Sequence, residues 1–155
     1  MAGQGEEVRR ILVINGPNLN RLGARDPALY GTLTLRDIQE RLEERAGEMG
    51  VELLFYQSNS EGGIIDFLQE HSPGAQGIII NPGALTHYGY SLRDALADTR
   101  LPIVEVHLSN IYGREEWRGR SVIAPIAVGQ VTGLGWRGYL YALDFLAAHI
   151  REEEG

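Results

Sequence analysis

Along this chain, apolar runs of strand length alternate with segments in which apolar residues return every three or four positions, and the change of period repeats five times. The first run, Arg10–Asn15, is almost continuously apolar, as expected of a strand covered on both faces. Thr34 then reads as a helix N-cap with Asp37 at the third helical position. Leu35, Ile38, Leu42 and Ala46 follow at helical spacing until Gly50 ends the helix. Residues 51–57 read as a second strand, 61–70 as a short helix stopped by Pro73, and Gly77–Asn81 as a third strand. A helix over 91–97, a strand over 102–107, a fifth strand within 121–131 and a last helix over 139–151 complete the order. Leu140, Leu143, Leu146, Ala147 and Ile150 form the buried stripe of that helix.

Such alternation in 155 residues predicts an α/β fold: a flavodoxin-like, five-stranded parallel sheet with helices on both faces and right-handed crossovers. The length fits one domain over 1–155, with about 1–8 and 151–155 frayed. In such a sheet, ligands bind beyond the carboxyl ends of the strands. That rule selects residues 16–31, 58–63, 81–89 and 107–118, three of which are rich in Asn, His, Arg, Ser and Tyr.

Composition narrows the chemistry. Hydrophobic residues at 43% and charged residues at 23% are globular proportions. No apolar run nears the roughly 20 residues of a membrane span. The first ten residues lack the apolar middle of a secretory signal, so a cytoplasmic protein without a membrane partner is expected. The net charge of -7 argues against nucleic acid. Cysteine is absent, which removes thiolate nucleophiles and disulfides. Lysine is absent as well: all 14 Lys or Arg positions are arginine, so no Schiff base through a lysine amine can form. A base must therefore come from Tyr, His, Asp or Glu. No His or carboxylate grouping has metal-ligand spacing, and neither glycine motif for a nucleotide is present, so no metal and no cofactor are expected.

The loop over 21–31 is longer than usual between strand and helix, as lids often are, and carries Arg25 and Tyr30. A phenol is a poor base at neutral pH unless a cation stabilises its anion. The plainer alternative is that Tyr30 packs the loop down and Arg25 is solvated. Glu105 and His107, two apart on a strand, leave the same face roughly 6.6 Å apart at their bases. The carboxylate can hold the imidazole directly or through a water, making His107 a candidate general acid, or the two can be a satisfied structural pair. Arg114 and Arg118, four apart, would share a helical face suited to clamping oxygens, or would be a solvated run. The turn over 81–87, with Asn81 and His87 before a helix start, offers backbone N–H groups to an anion.

Taken together, Asn15-Gly-Pro-Asn18-Leu, Arg25-x-Pro-x-x-Tyr30-Gly31, Gln57-Ser-Asn-Ser-Glu61-Gly, Asn81-Pro-Gly-Ala-Leu-Thr-His87, Glu105-Val-His107-Leu-Ser109-Asn110 and Arg114-Glu-Glu-Trp-Arg118 closely resemble type II 3-dehydroquinate dehydratase, over about 11–150. The resemblance implies a hydro-lyase that carries out a reversible trans elimination of water from 3-dehydroquinate through an enolate, in the shikimate route to aromatic amino acids, without metal or organic cofactor. It implies Tyr30 as the base with Arg25 and Arg114 beside it, Asn18 positioning a water on the enolate, and His107 as general acid supported by Glu105. It further implies Asn81, Leu108 and Ser109 on the substrate carboxylate and His87 and Arg118 on the ring hydroxyls. Asp94 would come from a neighbouring subunit of a homododecamer built from trimers. Trp117, where the family often carries phenylalanine, and Pro82 are departures that touch none of these roles. The alternative, a flavodoxin-like module binding a small anion, would need an anion-cradling glycine loop or an acidic phospho-acceptor cluster after the first strand. Gly16-Pro-Asn-Leu offers neither. A serine hydrolase would need Gly-x-Ser-x-Gly, which is absent.

Overall fold

A computed structural model describes residues 8–155; the fraying expected over 1–7 falls outside the described residues. The elements run β1 (Arg10–Asn15), α1 (Pro27–Tyr30), α2 (Leu35–Met49), β2 (Glu52–Gln57), α3 (Glu61–His71), β3 (Gly77–Asn81), α4 (Tyr90–Thr99), β4 (Ile103–His107), β5 (Gly129–Thr132) and α5 (Arg137–Glu154), with short 3-10 turns between them. All pairings are parallel and the sheet order is β2-β1-β3-β4-β5. This is the flavodoxin-like order, whose switch point lies between β1 and β3. There the register sets Asn15 beside both Gln57 and Asn81, so three side-chain amides end three adjacent strands.

Alternation along the strands divides the core. Ile11, Val13, Ile79, Val104 and Val106 face α2 and α5, while Leu12, Ile14, Ile78, Ile80 and Ile103 face α3 and α4. Because both faces are buried, the strands read as continuous apolar runs, as the sequence suggests. At the start of α2 the Thr34 hydroxyl accepts from the Asp37 N–H at 3.1 Å and the Asp37 carboxylate accepts from the Thr34 N–H at 3.0 Å, a reciprocal capping box. Gly50 closes the helix in the left-handed region.

Three expectations need correction. The last helix, expected over 139–151, runs over Arg137–Glu154, and the Glu154 carboxylate takes the Arg9 guanidinium at 2.6 Å. The buried face of α5 is Tyr139, Ala142, Leu143, Leu146, Ala147 and Ile150, with Leu140 on its flank. The fifth strand is shorter and later than its window: Pro125 has no N–H to give a ladder, and Val122, Ile123, Ile126 and Ala127 instead pack into the α3/α4 core, turning at Ala124–Ile126, before β5 begins beside β4.

Candidate active site

The carboxyl ends of β1 and β3 are pressed together. The Gly16 N–H donates to the Asn81 carbonyl at 2.8 Å, and a β-carbon at Gly16 would lie 2.4 Å from the Pro82 carbonyl oxygen. Glycine is required there for close approach of two backbones. Two residues on, Asn18 adopts φ 72°, a region that asparagine tolerates better than most residues, and its N–H donates to Asn59 Oδ1 at 3.0 Å. Gln57 reaches both Asn59 Oδ1 and the Gly16 carbonyl at 3.2 Å, so the end of β2 braces the turn that presents Asn18.

The loop over 21–31 contains a one-turn helix not anticipated from the sequence. Asp26 caps it by accepting from the Ala28 N–H at 3.0 Å, and Pro27 occupies its first position. That turn brings Tyr30 back toward Arg25. Arg25 Nη2 donates to the Tyr30 hydroxyl oxygen at 3.0 Å while its Cζ lies 4.0 Å from the ring centroid, and Arg114 Cζ lies 5.4 Å from the same ring. Arginine can only donate, so it bonds a phenolate more strongly than a phenol.

On β4, His107 Nε2 lies 2.5 Å from Glu105 Oε2, a direct contact without an intervening water, and Glu105 is fully buried. Thr86 Oγ1 donates to the same carboxylate at 2.5 Å and Ser121 Oγ at 2.8 Å. Burial pushes this carboxyl up. The hydrogen bond and charge of His107, with the two hydroxyls, outweigh burial and hold it below the ordinary carboxylate value. Glu105 stands behind His107 and does not itself line the cavity.

Asn81 is engaged on both sides: its Nδ2 donates to the Tyr139 hydroxyl at 3.0 Å and its Oδ1 accepts from the Gly83 N–H at 3.1 Å. The Tyr139 hydroxyl in turn donates to Asn15 Oδ1 at 2.5 Å. Burial, partly offset by the Asn81 bond, drives the Tyr139 phenol far above its ordinary value, so it stays a neutral strut. The backbone cradle expected over 81–87 is largely spent internally, since the Leu85 N–H also donates inward, to the Pro82 carbonyl. His87 Nδ1 lies 2.7 Å from the Arg120 carbonyl, and its ring meets Trp117 edge-on. Arg114 and Arg118 do not share a helical face as expected. Arg114 is extended and only 116–119 turn as 3-10, yet the bend aims both at the cavity, with Arg114 Nη1 on Ser109 Oγ at 3.1 Å.

These groups enclose a cavity of about 100 Å³ lined by Asn18, Arg25, Tyr30, Asn81, His87, His107, Leu108, Ser109, Arg114 and Arg118. Asp94 is exposed on α4, away from it. Among the described residues the lining carries three arginines and two histidines but no carboxylate, in a chain of net charge -7, so it suits a small anion. A larger hollow of about 630 Å³ sits at the opposite end of the sheet, beside Gln76, Pro102 and Val128. Ligands of open α/β sheets bind at the other end, and the paired groups above are all there. Sequence reasoning missed Asn15, Thr86, Ser121 and Tyr139 as contributors. Only the first and second lie within motifs singled out.

The family model for class II dehydroquinases matches residues 9–147 of the chain. The chain belongs to that family. A 3-dehydroquinate dehydratase of Roseiflexus castenholzii is 63% identical over 88% of this chain and 87% of its own length, and one of Herpetosiphon aurantiacus is 59% identical over 88% and 94%. Among solved structures, the type II dehydroquinase of Butyrivibrio crossotus superposes with a TM-score of 0.88 at 46% identity, covering 91% of this chain and 99% of that one. That of Propionibacterium acnes gives 0.87 at 40% identity, covering 93% and 99%. In this class II dehydroquinase, Tyr30, Arg25 and His107 line one cavity.

Proposed function

We propose that the chain is a hydro-lyase that converts 3-dehydroquinate to 3-dehydroshikimate by reversible trans elimination of water. The observation that carries the reading is the pairing of a guanidinium-bonded tyrosine, Arg25 to Tyr30 at 3.0 Å, with a carboxylate-bonded histidine, Glu105 to His107 at 2.5 Å, across one anion-suited cavity. The Tyr30 phenolate takes a proton from the carbon beside the ketone, and the electron pair moves into the enolate. Asn18 holds a water on the enolate oxygen. As the enolate collapses, the carbon–oxygen bond breaks and His107 gives its proton to the departing hydroxyl, which leaves as water. Because His107 Nε2 faces Glu105, the proton is delivered from Nδ1, and the ring carries both protons when it acts.

Asn81, Leu108 and Ser109 hold the substrate carboxylate, with one Nδ2 proton of Asn81 remaining for it. His87 and Arg118 take the ring hydroxyls, and Asp94 enters the site of a neighbouring copy in a dodecamer of trimers. The role is cytoplasmic, in the shikimate pathway to aromatic amino acids, and residues 1–155 act as one catalytic domain. The test is formation of the conjugated enone from 3-dehydroquinate, followed by absorbance. Tyr30→Phe, which keeps the ring and its packing, is expected to lose on the order of 10²–10⁴ in kcat, the span of a general base. Wild-type turnover in that variant removes Tyr30 from the reaction.

A further inference from the structure

Residues 120–124 pack on the α3/α4 face and touch His87 and Glu105, the partner of His107, without lining the cavity. The Val122 N–H donates to the Thr86 carbonyl at 2.7 Å, which fixes this strap to the turn that carries His87. The Arg120 carbonyl lies 2.7 Å from His87 Nδ1. A carbonyl only accepts, so Nδ1 bears a proton, and in the neutral ring Nε2 is left as the acceptor. Ser121 Oγ accepts from the N–H groups of Ile123 at 3.1 Å and Ala124 at 2.9 Å. Both of its lone pairs are thereby used, and its proton goes to Glu105 Oε1 at 2.8 Å. Thr86 Oγ1 sits 2.8 Å from Ser121 Oγ, which has no lone pair left for it, so its proton too goes to Glu105, at 2.5 Å.

Glu105 therefore meets three donors: two hydroxyls and the Nε2–H of His107. Its register neighbours Ile80 on β3 and Gln130 on β5 carry no charge, and His107 is the ionisable group it touches. The two hydroxyl donors favour the ionised form of Glu105, which can only accept, so the imidazole presents Nε2–H to it.

We propose that Thr86 and the strap over 120–124 are positioning elements that fix which nitrogen each histidine turns to the substrate, Nε2 as an acceptor at His87 and Nδ1 at His107. Thr86 and Ser121 act through Glu105, and the Arg120 carbonyl acts on His87. What the two rings then do rests on the dehydratase reading; which nitrogen bears the proton does not.

Thr86→Val, which is isosteric, and Ser121→Ala, which also frees the N–H groups of Ile123 and Ala124, each remove one donor from the ionised carboxylate. Glu105 then protonates more easily and releases His107. The acid limb of the kcat–pH profile is expected to move up by about one to two pH units in each, the worth of one hydrogen bond to a charged group, and further in the double variant. At pH 7, kcat stays within about five-fold of wild type and melting remains cooperative. An acid limb left in place in both folded single variants overturns the proposal. Nitrogen-15 NMR of the wild-type histidine side chains decides the matter without any variant. The expected spectrum has a proton on Nδ1 of His87 and on Nε2 of His107, and the opposite tautomer at either ring overturns it. A wild-type protein that leaves 3-dehydroquinate unchanged refutes the function instead, and the NMR result still stands on its own.

Discussion

Replacing Glu105 with glutamine tests the acid half of the site with almost no change of shape. The carboxylate accepts from three donors, and glutamine has one acceptor oxygen and two N–H groups. If its oxygen takes the place shared by His107 and Thr86, its amide N–H meets Ser121 Oγ, whose lone pairs already serve Ile123 and Ala124. If the amide is turned over, N–H meets the Nε2 of His107, and the ring must give up that proton to accept. Either way a hydrogen bond to a buried charge is lost, about 1.5–3 kcal/mol, and Tm falls by roughly 3–12 °C. The second arrangement leaves a neutral imidazole without a carboxylate to hold its cation. General acid catalysis is worth about 10²–10⁴, so kcat is expected to fall by about that range, roughly 3–5 kcal/mol of barrier. The wild-type carboxyl is held below its ordinary 4.5, so its stabilising contribution is complete above that pH and drains away as pH falls through the lowered value. Wild-type Tm thus drops on acidification below about 4.5, whereas that of the variant is flatter there. Enone formation against pH, with melting curves at matched pH, measures both. A Glu105→Gln protein with kcat within about three-fold of wild type at pH 7 refutes the reasoning.

Tyr139→Phe removes the hydroxyl that joins Asn15 to Asn81 and strands two buried amides. It is expected to cost about 1–3 kcal/mol in a thermal melt and to raise KM through Asn81. Gly16→Ala forces a β-carbon to within 2.4 Å of the Pro82 oxygen, so the ends of β1 and β3 must part; a lowered Tm and a KM raised at least several-fold are expected, and unchanged kinetics contradict the close approach. Asp94→Asn is expected to raise KM while sedimentation still gives the mass of about twelve chains, and a fully active wild-type monomer contradicts the shared site.

The sheet was legible because both of its faces are buried. Apolar runs such as Arg10–Asn15 and Gly77–Asn81 announce parallel strands, and Thr34, Asp37 and Gly50 mark the bounds of α2 with their own chemistry. Glu105 and His107 were legible for the opposite reason, as polar residues in an apolar strand whose burial is costly unless satisfied. Period says nothing about hydroxyls that satisfy a partner from elsewhere. Ser121 lies 16 residues from Glu105 and Tyr139 lies 58 from Asn81, and each is ordinary in its own segment. The convergence of Arg114 and Arg118 on one cavity was expected for the wrong reason. A helical spacing was inferred where an extended residue followed by a 3-10 turn brings both to the cavity.

The two halves of the site are held by different kinds of bond. His107 and Leu108 are followed by carbonyls that accept from Gly133 and Gly135, and Asn81 and Asn15 are tied to Gly16 and Ser58, all bonds between distant parts of the chain. Along 19–31, by contrast, the backbone bonds of Leu22, Ala24, Leu29, Tyr30 and Gly31 all close within the segment itself. Its attachment to the body comes from side chains, Leu19 and Leu22 buried and Tyr30 and Leu33 packed against the core. A segment bonded mainly to itself can shift as a unit without breaking the sheet, whereas moving His107 would break the ladder. His107 is therefore fixed to the scaffold, and Arg25 and Tyr30 sit bonded to each other on one self-contained segment. If the proposed reaction holds, a substrate anion among Arg25, Arg114 and Arg118 would meet the Arg25–Tyr30 pair already formed.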